Sequence, residues 1–310
     1  MKNKITCLLA GAALFGATAN AEIVLTDELS AYGYIDMALT DGEGNDNTTT
    51  SVAEFELGFA FTPAESAYSA VAELSFGESD VEWETVTVTY QHSDTLSFTF
   101  GNILSYQGFE TFDATGLYQF SYAGVTTQDL DGDGENENGV MYSAGYAVGA
   151  SVDGSVGDFD FGVWVGDTDS DTDGNGDPSY EYLLAYNGIE NLTLKVILAD
   201  DPGYETTNVW ASYDYGDFTF AVESVEHDLT TGEDIDLQMA MVYYSMGKAG
   251  ITFRVTDGDY NGTDFEKTTI SPSYAFSDNV FGLIEFSSEE YGSGPNSDKD
   301  TAAVELIYSF

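Results

Sequence analysis

The feature that most restricts the fold of this chain is a period of two. Ala53, Phe55, Leu57, Phe59 and Phe61 alternate with Glu54, Glu56, Gly58 and Ala60. Leu192, Leu194, Val196 and Leu198 alternate with Thr193, Lys195 and Ile197. Ile235, Leu237, Met239, Met241 and Tyr243 alternate with Asp236, Gln238 and Ala240. Successive side chains of a β-strand point to opposite faces, so each segment shows one apolar face over about ten residues. No segment reaches the roughly 18 consecutive apolar residues of a transmembrane helix.

The same pattern predicts strands near 29–40, 52–62, 67–77, 81–90, 95–101, 140–152, 158–167, 179–187, 191–199, 206–215, 217–226, 235–246, 249–257, 265–276, 279–288 and 301–310. Their links alternate in length. Pro63 to Ser66, Gln91 to Asp94, Gly188 to Glu190, Gly216, Gly247-Lys248 and Ser277-Asp278 are short, while 41–51, 168–178, 227–234 and 289–300 are longer and polar. A soluble sandwich also alternates, but this rhythm of links belongs to transmembrane barrels. The expected fold is therefore all-β: a closed antiparallel transmembrane β-barrel of about 16 strands. Closure follows because an open edge in lipid leaves backbone groups unpaired. A barrel of this size keeps an aqueous channel. Tyr142, Tyr180, Tyr213, Tyr215, Tyr243, Tyr274, Phe276 and Tyr308 lie near strand ends on apolar faces, as interfacial girdles do.

Both ends of the chain agree. Lys2 and Lys4 precede an apolar stretch from Ile5 to Ala17, then Ala19-Asn20-Ala21. This reads as a secretory signal peptide over 1–21, cleaved before Glu22, and Cys7 leaves with it. The barrel is then 22–310. Val304, Leu306, Tyr308 and Phe310 share one face of the last strand. That ending resembles the C-terminal signature of outer-membrane barrels, which implies that Tyr308 and Phe310 are read by the barrel assembly machinery. The expected location is the cell outer membrane, in contact with its lipids and lipopolysaccharide.

Seven Lys+Arg stand against 55 Asp+Glu, a net charge of −48. Such a chain repels phosphates, so no nucleic acid is expected. With 43% hydrophobic and 14% aromatic residues it has too much to bury to be disordered. The charge suits solubility in salt and a lumen that favours cations.

One link is far too long. From 102 to 139 no clean strand pair appears, and structureless loops of this length are usually functional. It opens Gly101-Asn102-Ile103-Leu104-Ser105-Tyr106-Gln107-Gly108-Phe109-Glu110. It continues through Asp113-Ala114-Thr115-Gly116-Leu117-Tyr118-Gln119-Phe120-Ser121-Tyr122 to Asn138-Gly139-Val140. This resembles the OmpL-like family of β-barrel porins, in which a Gly-rich strand end leads to a Gly-Phe/Tyr-Glu motif and a Tyr/Ser-rich stretch. The resemblance, shared in pattern with general Gram-negative porins, implies passive diffusion of small hydrophilic solutes, and a homotrimer. It also implies that this loop enters the barrel, with Glu110 and Asp113 as the acidic side of a constriction. Lys195 and Arg254 sit between apolar neighbours and so point to the lumen. Lys267 is a third candidate base. Acids on the loop facing bases on the far wall would set a transverse field across the pore. The alternative is that these bases neutralise lumen carboxylates such as Glu223 or Glu285. Ser143, Gly145, Ala147, Gly149 and Ser151 share one face and leave room for an inserted loop.

Two outer links are acidic. Asp129, Asp131 and Asp133, and Asp169, Asp171, Asp173 and Asp177, follow the D-x-D-x-D-G start of a calcium loop. Position twelve is Val140 or Tyr180, which supplies no bidentate Glu, so weak Ca2+ binding is the most these loops suit. No other cofactor is expected. Only His92 and His227 are available as catalytic bases, without a nucleophile at convincing spacing, so an enzyme is not expected. A non-conducting adhesion barrel is a third reading.

Overall fold

The computed structural model describes residues 22–42, 49–77, 81–110, 112–124, 141, 145–167, 177–229, 234–260, 262–292 and 298–310. The elements are β1 (Ile23–Val24), β2 (Leu29–Gly42), β3 (Thr49–Phe61), β4 (Tyr68–Phe76), β5 (Val81–Ser93), β6 (Leu96–Leu104), β7 (Tyr146–Val156), β8 (Phe159–Asp167) and β9 (Ser179–Ile189). They continue with β10 (Leu192–Asp200), β11 (Tyr204–Tyr215), β12 (Phe218–Leu229), β13 (Asp234–Met246), β14 (Ala249–Tyr260), β15 (Thr263–Ala275), β16 (Val280–Tyr291) and β17 (Lys299–Ser309). A single 3-10 turn covers Ala114–Gly116.

From β2 to β17 each strand pairs antiparallel with the next, and β17 returns to β2, so the sheet closes on itself. All sixteen expected strands are present. The seam is tight: Gly33 and Phe310 exchange backbone hydrogen bonds, each N–H donating over 2.9 Å. Where β17 ends, the short β1 takes over the edge of β2, pairing Ile23 with Ala31 and Val24 with Ser30. This extra strand is absent from the sequence reading. Two residues are too few to show a period.

One end of the barrel carries the short links 62–67, 94–95, 157–158, 190–191, 216–217, 247–248 and 276–279. Gly157, Gly216 and Gly247 open two-residue turns there with φ of 63°, 63° and 75°. A first position at positive φ is the turn form that matches the twist of paired strands, and glycine adopts it freely. The opposite end carries the longer links, among them 105–145 and 168–178.

The outward face holds an apolar belt in register. Phe220 lies beside Val242, Val242 beside Phe253, Phe253 beside Ile270, and Ile270 beside Phe286. Phe253, Ile270 and Phe286 are 44%, 42% and 55% exposed, which only lipid explains in so ordered a row. Toward the long-link end the outward row turns polar, with Gln238, Asp257, Glu266 and Glu290 side by side. Tyr213, Tyr215, Tyr274, Phe276 and Tyr308 are exposed near the short-turn end. Tyr243 instead faces inward, where its ring meets that of Tyr118 at 5.4 Å.

The interior of β13 is the surprise. Leu237, Met239 and Met241 are buried and face the lumen, while Gln238 and Ala240 face outward. They form one cluster with Tyr118, Ala123, Met141, Ala221, Val225 and Phe265. Alternation tells which residues share a face, not which face lies inside. The lumen is apolar here because something covers it.

Candidate functional site: the inner loop and the walls it faces

What covers β13 is the link between β6 and β7. β6 runs on to Leu104 and β7 starts only at Tyr146, later than the expected 140. Between them the chain turns into the barrel and runs along the inner face of one wall. Inward-facing side chains of successive strands bind its backbone in order. Glu181 on β9 accepts from Tyr106 N–H at 2.8 Å and from Ser105 Oγ at 2.6 Å. Asn208 on β11 accepts from Gly108 N–H at 3.0 Å, and Glu223 on β12 from Phe109 N–H at 3.1 Å. Thr252 on β14 donates to Tyr118 O at 3.0 Å. Glu285 on β16 accepts from Ser121 N–H at 3.0 Å. A buried stretch without regular structure must pair its backbone groups somehow, and here the wall side chains do it.

Arg254 on β14 is the centre of this attachment. Its guanidinium forms an ion pair with Glu110 and donates to Ser121 O at 2.6 Å and Tyr122 O at 2.8 Å. Arg254 is 0% exposed and Glu110 6%. The planar fork of Arg serves a carboxylate and two carbonyls together. Lys267 on β15, 1% exposed, pairs with Glu289 at 3.0 Å and donates to Gly124 O at 3.3 Å. Lys195 on β10 lies over the Trp210 ring, 4.8 Å from its centre. The arrangement thus differs from the expected one. Glu110 and Arg254 do not face each other across an opening; they are in contact, and Arg254 and Lys267 hold the loop to its wall. The reason is geometric: the loop crosses to β14 before it turns back.

Small residues make room for it at Gly145, from the expected set, and at Gly162 on β8, while Gly149 lies against Trp164 instead. Phe112 packs 3.5 Å from where a Cβ on Gly145 would stand, and Tyr106 packs 2.7 Å from the same point on Gly162. Tyr106 also donates to Asp153 at 2.5 Å. Ser143 lies outside the described residues.

Asp113 goes the other way. It sits on the free side of the loop, facing β2 to β5, where the wall is acidic. Tyr34 and Ser75 donate to Glu54 at 2.6 and 2.8 Å, and Tyr32 donates to Glu73 at 2.5 Å. Tyr146 donates to Asp113 at 3.1 Å. Carboxylate oxygens of Glu56, Glu84 and Asp113 all lie within 4.8 Å of one another. Among the described residues no Lys, Arg or His pairs with any of these acids. Burial, then the charges of Glu73 and Glu54, push the Asp113 carboxyl up to about 7, against the pull of the Tyr146 hydroxyl.

Glu181, Asn208 and this acidic wall are lumen positions the sequence reading missed. The signal was present in part: Glu54 and Glu56 alternate with Phe55 and Leu57. Asp129, Asp131, Asp133, Asp169, Asp171 and Asp173 lie outside the described residues, as do residues 1–21; Asp177 is exposed just before β9. Tyr308 and Phe310 stack at 6.2 Å, and Phe310 also covers Gly33 at the seam.

No functionally curated protein matches the chain in sequence. Solved structures do match in fold. In vitro-folded OmpT of Vibrio cholerae, in trimer form, superposes with a TM-score of 0.66 at 12% identity over 91% of this chain and 99% of that one. The anion-selective porin from Comamonas acidovorans gives 0.66 at 16% identity, over 91% and 99%. A mutant of Rh. blastica porin gives 0.62 at 16% identity, over 91% and 100%. At such identities the likeness speaks for the barrel alone. The sequence match is to the Gram-negative porin family model over residues 8–287, which is most of the chain. With an inner loop docked in a sixteen-stranded ring, this chain belongs to the Gram-negative porin family, and is an outer-membrane channel protein.

Proposed function

We propose that the chain is a passive diffusion channel for small hydrophilic solutes and ions that favours cations. The observation that carries this reading is an asymmetry of charge. Arg254, Lys267 and Lys195 are spent on the loop, on Glu289 and on Trp210, whereas Glu54, Glu56, Glu73, Glu84 and Asp113 have no base beside them among the described residues. The solution in the lumen meets a wall of one sign, which concentrates counterions. In this reading the acids of β3 to β5 and Asp113 set the charge on one side of the passage, and Glu110, Arg254 and Lys267 hold the loop that bounds it. Reversal potentials in planar bilayers under a salt gradient test it. A cation-selective sign is expected; a zero or anion-selective potential overturns it.

The same reading takes residues 1–21 as a cleaved leader, and Tyr308 and Phe310 as the assembly signal. It takes the active form as a trimer within lipid and lipopolysaccharide. It assigns no catalysis. His227 has a hydroxyl near it, Thr206 Oγ1 at 2.7 Å from Nδ1, and both side chains are buried, at 4% and 3% exposure. Liposome swelling separates a channel from a plugged adhesion barrel: small sugars enter in the first case only.

A further inference from the structure

We propose that Glu56, Glu84 and Asp113 bind one divalent cation of the calcium class, which bridges the inner loop to the acidic wall. Glu56 is on β3, Glu84 on β5 and Asp113 on the loop, so three separate stretches of chain converge on one point. The acids of this wall are not alike. Glu54 holds two hydroxyl donors and Glu73 one. Glu56 is 5% exposed and no hydrogen bond is made to its carboxylate among the described residues. Glu84 Oε2 is likewise buried without a partner. A buried carboxylate with neither donor nor base is a group shaped for a cation.

The spacing suits a large ion. Three oxygens within 4.8 Å of one another leave a central point up to about 2.8 Å from each, which calcium at 2.3–2.6 Å fills with less contraction than magnesium at roughly 2.0–2.1 Å. Three carboxylates and no His or Cys favour a hard ion over zinc or copper. Tyr146, already on Asp113, fixes that ligand in the way outer hydrogen bonds fix metal ligands. The site differs from the outer acidic loops, and its occupation does not require the pore to conduct.

Terbium, a calcium substitute excited through nearby tyrosine rings, reports on it. The refolded chain in detergent is titrated in about 0.3 M NaCl, where exposed charges are screened beyond roughly 6 Å. Saturable emission is expected, displaced by calcium more readily than by magnesium. The pair Glu56→Gln and Glu84→Gln should weaken binding by about 10-fold or more. A variant with Asp169→Asn, Asp171→Asn and Asp173→Asn should leave it unchanged. If the double variant does not refold, Asp113→Asn on the loop gives the same readout without touching the sheet. Calcium should also slow amide exchange over residues 112–117 in the native chain and not in the variant. Unaltered affinity in the Glu56 and Glu84 or Asp113 variants overturns the assignment. So does loss of binding in the outer-loop variant, or exchange that calcium leaves unmoved.

Discussion

The two walls of the lumen are built from similar residues and behave as opposites. On β9 to β16, Glu181, Asn208, Glu223, Arg254 and Glu285 each hold a group of the inner loop. On β2 to β5, Glu54, Glu56, Glu73 and Glu84 meet tyrosine and serine hydroxyls, one another and Asp113, and no base among the described residues. A carboxylate is a fastener where backbone N–H groups and a guanidinium reach it, and a lining where they do not. What differs is not residue type but whether the loop comes within hydrogen-bond reach.

The strongest way to break the comparison is to remove the fastener at its centre. Arg254→Gln leaves Glu110 buried without its base, which costs about 3–5 kcal/mol in comparable buried pairs. The loop should leave the wall, seen as faster amide exchange over 106–124 and a larger single-channel conductance. Unchanged exchange and conductance would mean that the wall does not depend on this ion pair.

Next in size is Glu223→Ala, which unpairs Phe109 N–H and the Asn208 amide together. Leaving buried donors unsatisfied costs about 1–3 kcal/mol. Exchange should quicken at 108–110 first, with the Arg254 end still attached.

On the opposite wall the effect should be on selectivity rather than stability. Glu73→Gln keeps a partner for Tyr32 and removes a charge. The reversal potential should move toward zero while the stability of the barrel holds. If Glu73→Gln and Glu223→Gln shift it equally, the two walls do not differ in the way described. The smallest change is expected for Lys195→Met, whose ammonium rests on Trp210: a modest rise in cation preference and no release of the loop.

The barrel was legible in the sequence because each strand announces itself within about ten residues, by alternation and by the turn after it. Gly216 and Gly247-Lys248 are examples: two-residue links whose glycines take the positive φ that hairpins need. The loop was legible as a length. Its path was not. Gly108 meets Asn208 100 positions later, and Ser121 meets Glu285 164 positions later, and no local pattern encodes such pairs. Arg254 was readable as a lumen residue but not as a clamp, for the same reason. The apolar lumen face of Leu237, Met239 and Met241 reads from sequence like a lipid face, since Tyr118 and Ala123 cover it from far away. The acidic wall escaped notice because its members come from three strands and a loop, each contributing one or two carboxylates.

The seam between β17 and β2 has a consequence for biogenesis. Every other pairing joins strands that are consecutive in the chain. The closing pair joins opposite ends of the polypeptide, and Phe310, its last residue, completes it. Until that pair forms, two strand edges are open to any other chain. Disrupting the β17–β2 pairing is expected to favour aggregation rather than a slightly leakier channel.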